Sequence, residues 1–370
     1  MRKVLVFKET LLPLSETFIQ GQVAALTSFH AVLAGLERCS PSLPVQADAI
    51  LLSERGPFFS DLRAKLYRKT GIAPVFHSKA RAFRPDLVHA HFANGGRAAL
   101  PLATTIGVPL VVTLHGADIT TEKRPGRYTA LGKQASLFLC VSEFIRTKAL
   151  DIGLAADKLR VHYIGIDLDV FRLVPGVERG RHLLFVGRLV EKKGCEYAIR
   201  AMKEVQAVDP GCGLRIVGDG PLRASLERLA KELNVDCQFV GFQPASVVRD
   251  EMLRAKIFCV PSVVAANGDS EGLGTVFVEA QAMGLPVVTF DHAGMGEAVI
   301  DGVTGLLSPE RDAMGLAQSI LRLLKDDGLW ESYHNAAIML VADRFDLKQQ
   351  TSILEDIYKE VLERKRSGAV

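Results

Sequence analysis

The sequence predicts two doubly wound α/β domains, each a parallel sheet covered by helices, facing one another across a central cleft. Three observations predict it. The chain has 370 residues, more than one typical core holds and a suitable length for two domains. Short β-branched, apolar runs recur, each followed by a helical pattern, which is the rhythm of parallel strands buried on both faces. That rhythm pauses once, over 165–181, where Pro175, Gly176 and Gly180 mark a linker, and then restarts.

In the first half the strand-like runs are Lys3–Phe7, Ala31–Leu36, Ala49–Leu52, Leu87–His91, Leu110–Leu114 and Leu137–Val141. In the second half they are His182–Val186, Leu214–Val217, Gln238–Val240, Ile257–Val260 and Pro286–Phe290. Helical periodicity is clearest over Leu222–Leu233, with Pro221 at its entrance, and over Thr275–Met283 and Asp312–Lys325. The expected division is a domain over 1–170, a second over 171–345, and a closing segment over 346–370. That segment, Asp346–Arg366, reads as a charged helix with an apolar stripe through Ile353, Ile357 and Val361, packed on one of the domains. Ligands of such sheets bind beyond the carboxyl ends of the strands.

Composition narrows the class. Hydrophobic residues make up 48% and charged residues 24%, an ordinary globular balance. No apolar run approaches the ~20 residues of a membrane span. Met1 to Phe7 enters a strand directly, without a signal peptide's apolar core. The six cysteines (Cys39, Cys140, Cys195, Cys212, Cys237 and Cys259) are scattered with no Cys-x-x-Cys pair. They read as reduced thiols of a cytoplasmic protein, not as a disulfide or zinc framework.

Charge is unevenly spread. Residues 1–170 carry 21 Lys and Arg against 14 Asp and Glu, whereas the remainder carries 24 against 28. Much of the excess lies in Arg63, Lys65, Arg68, Lys69, Lys79, Arg81 and Arg84. Such a stretch is either a solvated helix face or a peripheral contact for an anionic membrane or acceptor. Nucleic acid is not indicated, since no binding motif or aromatic interleaving accompanies the charge.

The strongest chemical signal is Ser270-Glu271-Gly272-Leu273-Gly274-Thr275-Val276-Phe277-Val278-Glu279-Ala280, followed by Gly284-Leu285-Pro286-Val287-Val288. A glycine-rich turn opens a helix, whose free amides and dipole suit a phosphate. Glu271 stands at the mouth and Glu279 eight residues on, rotated by roughly 80° at 3.6 residues per turn. The first acid is placed to reach a sugar hydroxyl and the second a ribose; the plainer alternative is an acid that complements the helix dipole. Phe185-Val186-Gly187-Arg188-Leu189-Val190-Glu191-Lys192-Lys193-Gly194 puts an arginine at a strand end and a lysine at the next helix entrance. That combination suits a diphosphate, and also describes an ordinary charged turn. A third element, Ile216-Val217-Gly218-Asp219-Gly220-Pro221-Leu222, is a strand-to-helix glycine turn.

Together, and in this order, these elements resemble the C-terminal half of the retaining GT-B glycosyltransferases grouped as family 4, built on two Rossmann-like domains. The resemblance extends through Gly294-Met295-Gly296-Glu297-Ala298-Val299-Ile300-Asp301-Gly302-Val303-Thr304-Gly305-Leu306-Leu307. It is dense over about 160–310 and looser before that. It implies that Arg188 and Lys193 bind the donor diphosphate and that the turn Gly272, Leu273 and Gly274 caps sugar and phosphate. By the same resemblance Glu279, with Gly218, serves the nucleoside, and Glu271 touches the transferred sugar. Ala293-Gly294 stands where the family often shows a glycine pair.

In the first half, Thr113-Leu114-His115-Gly116-Ala117-Asp118 resembles the family's His-Gly-x-Asp/Glu element, which implies that His115 lies beside the sugar near the anomeric centre. Val88-His89-Ala90-His91 resembles a second family feature. Both histidines share one strand face and could form half a metal site, but no acid or cysteine cluster completes it, so packing or acceptor-side contacts are read instead. Leu12-Pro13-Leu14-Ser15-Glu16-Thr17-Phe18-Ile19 resembles the start of a bacterial surface-polysaccharide subgroup. It makes Ser15, Glu16 and Thr17, with His91, acceptor-side candidates. Asp167-Leu168-Asp169 matches the metal-anchoring Asp-x-Asp of another glycosyltransferase fold, but it lies in the linker and is assigned no metal.

The expectation is a cofactor-free, metal-independent enzyme that moves a sugar from a nucleotide-sugar donor to a sugar, lipid-linked sugar or other hydroxyl acceptor, with retention. Two rivals stay open: a nucleotide-sugar epimerase on the same paired domains, and a non-catalytic sugar-nucleotide-binding protein.

Overall fold

Every expected strand forms, because the apolar runs are long enough to be covered on both faces. The computed structural model describes residues 1–11, 16–38, 49–53, 57–122, 124, 126–174 and 176–367, with the side chains of 57–61 left aside. The chain divides into two units, Met1–Gly165 with Leu347–Val370, and Ile166–Asp346.

The first unit contains β1 (Arg2–Phe7), β2 (Thr10–Leu11), β3 (Phe29–Gly35), β4 (Glu37–Arg38), β5 (Ala49–Leu51), β6 (Leu87–His91), β7 (Leu110–Leu114), β8 (Leu137–Cys140) and β9 (Leu159–Val161). Its main sheet has seven strands in the order β5-β3-β1-β6-β7-β8-β9, all pairs parallel. β2 and β4 form a separate short parallel pair. Strand order reverses between β1 and β6, so their carboxyl ends frame the crevice where such sheets take ligands.

The second unit contains β10 (His182–Val186), β11 (Gly213–Val217), β12 (Cys237–Gly241), β13 (Ile257–Cys259), β14 (Val287–Asp291) and β15 (Gly305–Pro309). These form one sheet in the order β12-β11-β10-β13-β14-β15, again parallel. Here the order reverses between β10 and β13, and Gly187-Arg188 leave the sheet at that point. Asp326 caps the helix Asp327–Arg344, its side chain accepting from the Leu329 amide.

The helix Leu347–Arg366 belongs to the first unit. Leu354, Ile357, Tyr358, Val361 and Leu362 join Val4, Val6, Leu33, Leu87 and Leu139 in one core. The expected stripe holds at Ile357 and Val361 and is corrected at its start: Ile353 is 38% exposed, and Leu354 and Tyr358 are buried beside the other two. A buried carboxylate fixes the register. Glu355 accepts hydrogen bonds from the amides of Thr27 (2.7 Å), Ser28 (2.6 Å) and Phe29 (3.2 Å) and from the Thr27 hydroxyl (3.0 Å). Burial pushes its pKa upward, but these donors outweigh that and hold it below the usual range.

Candidate active site

In the first unit the site grows from the ends of β1, β6 and β7. Alternation along β6 puts His89 and His91 on one face, and both are fully buried. His89 is held at both nitrogens, by the Tyr358 hydroxyl at Nδ1 (2.5 Å) and the Thr113 hydroxyl at Nε2 (2.7 Å). It is a packing residue. His91 is different: its Nδ1 lies 3.1 Å from Nε2 of His115, and the two rings stack with centroids 5.3 Å apart. His115 is boxed by Phe92 at 4.3 Å and Phe18 at 5.1 Å. Burial first, then the charges of neighbouring groups, push the His115 imidazole down to about 3 and hold His91 well below its usual value.

The rest of the His-Gly-x-Asp element is scaffold. The Asp118 carboxylate accepts the amides of Ala93 (2.8 Å), Gly116 (2.8 Å) and His115 (3.2 Å). It thereby ties the turn after β7 to the entrance of the helix Ala93–Ile106. Phe92, before that helix, has φ 67°, a left-handed conformation that costs a bulky residue roughly 1–3 kcal/mol.

A cavity of about 330 Å³ opens beside these groups, lined by Lys8, Glu9, Glu16, His91, Phe92 and Asn94 among others. Lys8 pairs with Glu16 and sits over the Phe92 ring at 5.1 Å. Burial raises the Glu16 carboxyl despite that lysine. Thr17 is the exposed first residue of the helix Thr17–Ala24. Ser15 lies outside the described residues.

In the second unit Lys193 and Glu271 come together, Nζ to Oε1 at 2.9 Å. Lys192 stands 3.9 Å from the same oxygen and 3.1 Å from Asp269. Burial pushes the Glu271 carboxyl up, but Lys193 and Lys192 prevail and hold it below the usual range. Arg188 is exposed, and its side chain makes no hydrogen bond or ion pair among the described residues. One expectation needs correcting. The helix opens at Thr275, so Glu271 precedes it in the glycine turn, and the 80° helical relation to Glu279 does not apply. The cause is Gly274, which caps the helix at φ 73°, where an added Cβ would lie 2.6 Å from the Phe277 ring.

Glu279 lies within that helix, without hydrogen bond or ion pair among the described residues. Burial pushes its carboxyl up to about 7, against the pull of Lys193. Gly218 is fixed by packing: at φ 139° a Cβ there would lie 1.9 Å from the Gly187 carbonyl oxygen, so the turns after β10 and β11 close on one another. Ala293 takes φ 51° where the resembled pattern has glycine. Asp167 forms a local turn, its carboxylate accepting the Asp169 amide at 2.9 Å. Among the described residues no group of three or more His, Cys, Asp or Glu is placed to hold a metal.

Sequence reasoning missed several residues. Lys8, Phe18 and Phe92 surround the histidines, and Lys8 carried a signal as the residue just past β1 at the strand-order reversal. His292, just past β14, is buried, and burial lowers its pKa while Glu310, Glu271 and a hydrogen bond with the Val263 backbone oppose that. The basic stretch falls on the helices Pro57–Thr70 and Pro74–Phe83. Leu62, Lys65, Leu66 and Lys69 follow one exposed stripe, while Ala64 and Tyr67 are buried. Ile72 and Val75 are also exposed, at 68% and 73%. Arg68 is engaged with Glu9 and Glu37, and Arg81 with the Thr105 carbonyl. No helix among the described residues is long and apolar enough to cross a membrane.

The chain is 34% identical over 259 residues to the amylovoran biosynthesis glycosyltransferase AmsK of Erwinia amylovora, covering 67% of this chain and 64% of that one. It is 30% identical over 294 residues to the putative colanic acid biosynthesis glycosyltransferase WcaL of Salmonella typhimurium, covering 75% and 72%. In fold it is similar to HepE of Anabaena in complex with UDP and glucose, with a TM-score of 0.77 at 19% identity over 97% of this chain and 100% of that one. The lipopolysaccharide outer core galactosyltransferase WaaB aligns with a TM-score of 0.71 at 15% identity over 97% and 100%. Residues 174–338 match the family of glycosyl transferases group 1, and residues 32–170 match glycosyltransferase family 4. On these matches the chain belongs to the group 1 glycosyltransferases of family 4, with the GT-B fold.

Proposed function

We propose that this chain transfers a sugar, with retention and without a bound metal, from a nucleoside-diphosphate sugar to a hydroxyl acceptor in the assembly of a bacterial surface polysaccharide or glycolipid. The observation that carries the reading is the second unit's arrangement of an ion pair and two uncommitted groups. Lys193 is paired with the buried Glu271 beside a glycine turn, while Arg188 and Glu279 have no partner among the described residues. Arg188, Lys193 and the first amides of the helix Thr275–Ala282 receive the diphosphate, with Gly272, Leu273 and Gly274 as the turn around it. Glu279 accepts from the ribose, and Glu271 from a hydroxyl of the transferred sugar. As the sugar–phosphate bond breaks, its electrons pass to the diphosphate, and fixed positive charge there lowers the barrier.

His115 serves the sugar near its anomeric carbon, and Glu16, Thr17 and His91 serve the acceptor. The names of the amylovoran and colanic acid relatives support a polysaccharide product. The stripe Leu62, Lys65, Leu66 and Lys69 supports a peripheral contact with an anionic membrane surface. The test is a screen of nucleotide sugars against purified protein with and without excess EDTA. Release of a nucleoside diphosphate with acceptor-dependent product, unchanged by the chelator, is expected. Loss of activity with rescue by Mn²⁺ or Mg²⁺ would overturn metal independence, and epimerised donor without transfer would overturn the transferase reading.

A further inference from the structure

Two buried imidazole nitrogens of the first unit have no hydrogen-bond partner among the described residues: Nε2 of His91 and Nδ1 of His115. They are the outer atoms of one pair, since the inner atoms, His91 Nδ1 and His115 Nε2, face each other at 3.1 Å. Two neutral imidazoles joined in this way carry one proton between them at the inner position, because one nitrogen donates and the other accepts. The outer atoms are then fixed. If His91 donates, both rings are protonated on Nδ1; if His115 donates, both are protonated on Nε2. The tautomers are locked together, and mixed forms leave either two lone pairs or two N–H groups in opposition.

We propose that His91 is a positioning residue which, by donating its Nδ1–H to Nε2 of His115, holds His115 as an Nδ1–H donor and leaves its own Nε2 as an acceptor for a hydroxyl in the adjoining cavity. The lock is rigid. His89 stacks on His91 at 4.5 Å and is itself pinned between Tyr358 and Thr113, while Phe92 and Phe18 close on His115. Lys8 sets the direction. It lines the same cavity as His91, where its charge opposes a further proton on that ring. A cation favours a lone pair over an N–H at the nitrogen that His115 does not use. A hydroxyl bound there reinforces the same choice, so occupation of the cavity and the donor character of His115 are linked through one hydrogen bond.

The test has two arms, and only the kinetic arm rests on the acceptor-side reading above. In the first, the free protein labelled with ¹⁵N-histidine is measured by long-range ¹H–¹⁵N correlation at pH 7, with His91→Phe and His115→Asn used for assignment. Both rings protonated on Nδ1 is the expected result. An Nε2–H or a cationic ring at either position overturns the proposal. In the second, with any nucleotide sugar found to turn over, His91→Phe lowers kcat on the order of 100-fold with the donor KM nearly unchanged. His91→Asn, whose amide still reaches Nε2 of His115, recovers part of it. If both variants lose melting temperature and activity alike, without that recovery, His91 only packs. Should no donor turn over, the first arm still decides the tautomers, and the transferase reading alone is at fault.

Discussion

Lys193 and Glu271 form a close ion pair, 2.9 Å apart, in which the carboxylate is almost wholly buried. Both residues were assigned to the donor from their motifs, and in the structure they pair with each other. Glu271→Gln keeps the shape and removes the charge. Turnover should fall by about one to three orders of magnitude, ~1.4–4 kcal/mol, with affinity for the bare nucleoside diphosphate nearly unchanged. Loss of nucleotide affinity with turnover retained at saturation would exchange the roles of Glu271 and Glu279.

The two diphosphate cations should behave differently on removal. Arg188→Ala takes away an exposed group without a partner among the described residues, so nucleoside diphosphate affinity should drop by roughly 1.5–3 kcal/mol while the melting temperature holds. Lys193→Ala also strands the Glu271 carboxylate, and should lose stability as well as affinity. Adding Glu271→Gln to Lys193→Ala should restore the melting temperature. Calorimetry and thermal unfolding on the four proteins check this; unchanged affinity in both single variants would remove them from the diphosphate site.

Glu279 supplies a pH dependence with a definite sign. Its carboxyl is raised from 4.5 to about 7, so the folded chain holds a proton that the unfolded chain has released. Its favourable contribution to stability is full below 4.5 and is lost as pH rises through about 7. Ribose hydroxyls donate to the ionised form, so nucleotide affinity should rise across the same window. Glu279→Gln should abolish both trends. Titrations between pH 5.5 and 8.5 that look alike in wild type and Gln variant would detach Glu279 from the nucleotide.

The membrane contact is tested on its own stripe. Lys65→Glu with Lys69→Glu, and separately Leu62→Ser with Leu66→Ser, should each reduce sedimentation with anionic vesicles, the first pair more at low salt. Equal sedimentation of both variants and wild type would leave these residues as a solvated helix face.

How far the sequence could be read depended on where each residue's partners lie. Leu87–His91, Leu110–Leu114 and His182–Val186 were read to the residue, because strands covered on both faces need nothing but apolar side chains in succession. β9 escaped notice as a three-residue edge strand with Arg160 exposed, and β15 because Gly305-Leu306-Leu307 were taken only as the end of the family-like stretch. The helix Asp327–Arg344 showed no distinct stripe in the sequence, because apolar residues such as Met339, 71% exposed, lie off the narrow buried line of Tyr333, Ala337 and Val341. Of the proposed site, His115, Glu271 and Arg188 were assigned from local motifs. The Lys193–Glu271 pair and the His91–His115 pair were not, because they join residues 78 and 24 positions apart through the packing of strand ends.

The return of the helix Leu347–Arg366 to the first unit bears on the order of events during synthesis. The second unit is one continuous stretch, Ile166–Asp346, and can complete its core while later residues are still within the ribosome. The first unit, though translated earlier, waits for Leu354, Ile357 and Tyr358, and until they emerge the groups they cover on β1, β3 and β6 stay exposed to chaperones or aggregation. Released chains truncated after Asp346 should therefore yield a protease-resistant second unit beside a cleavable first one, the reverse of the order in which they were made.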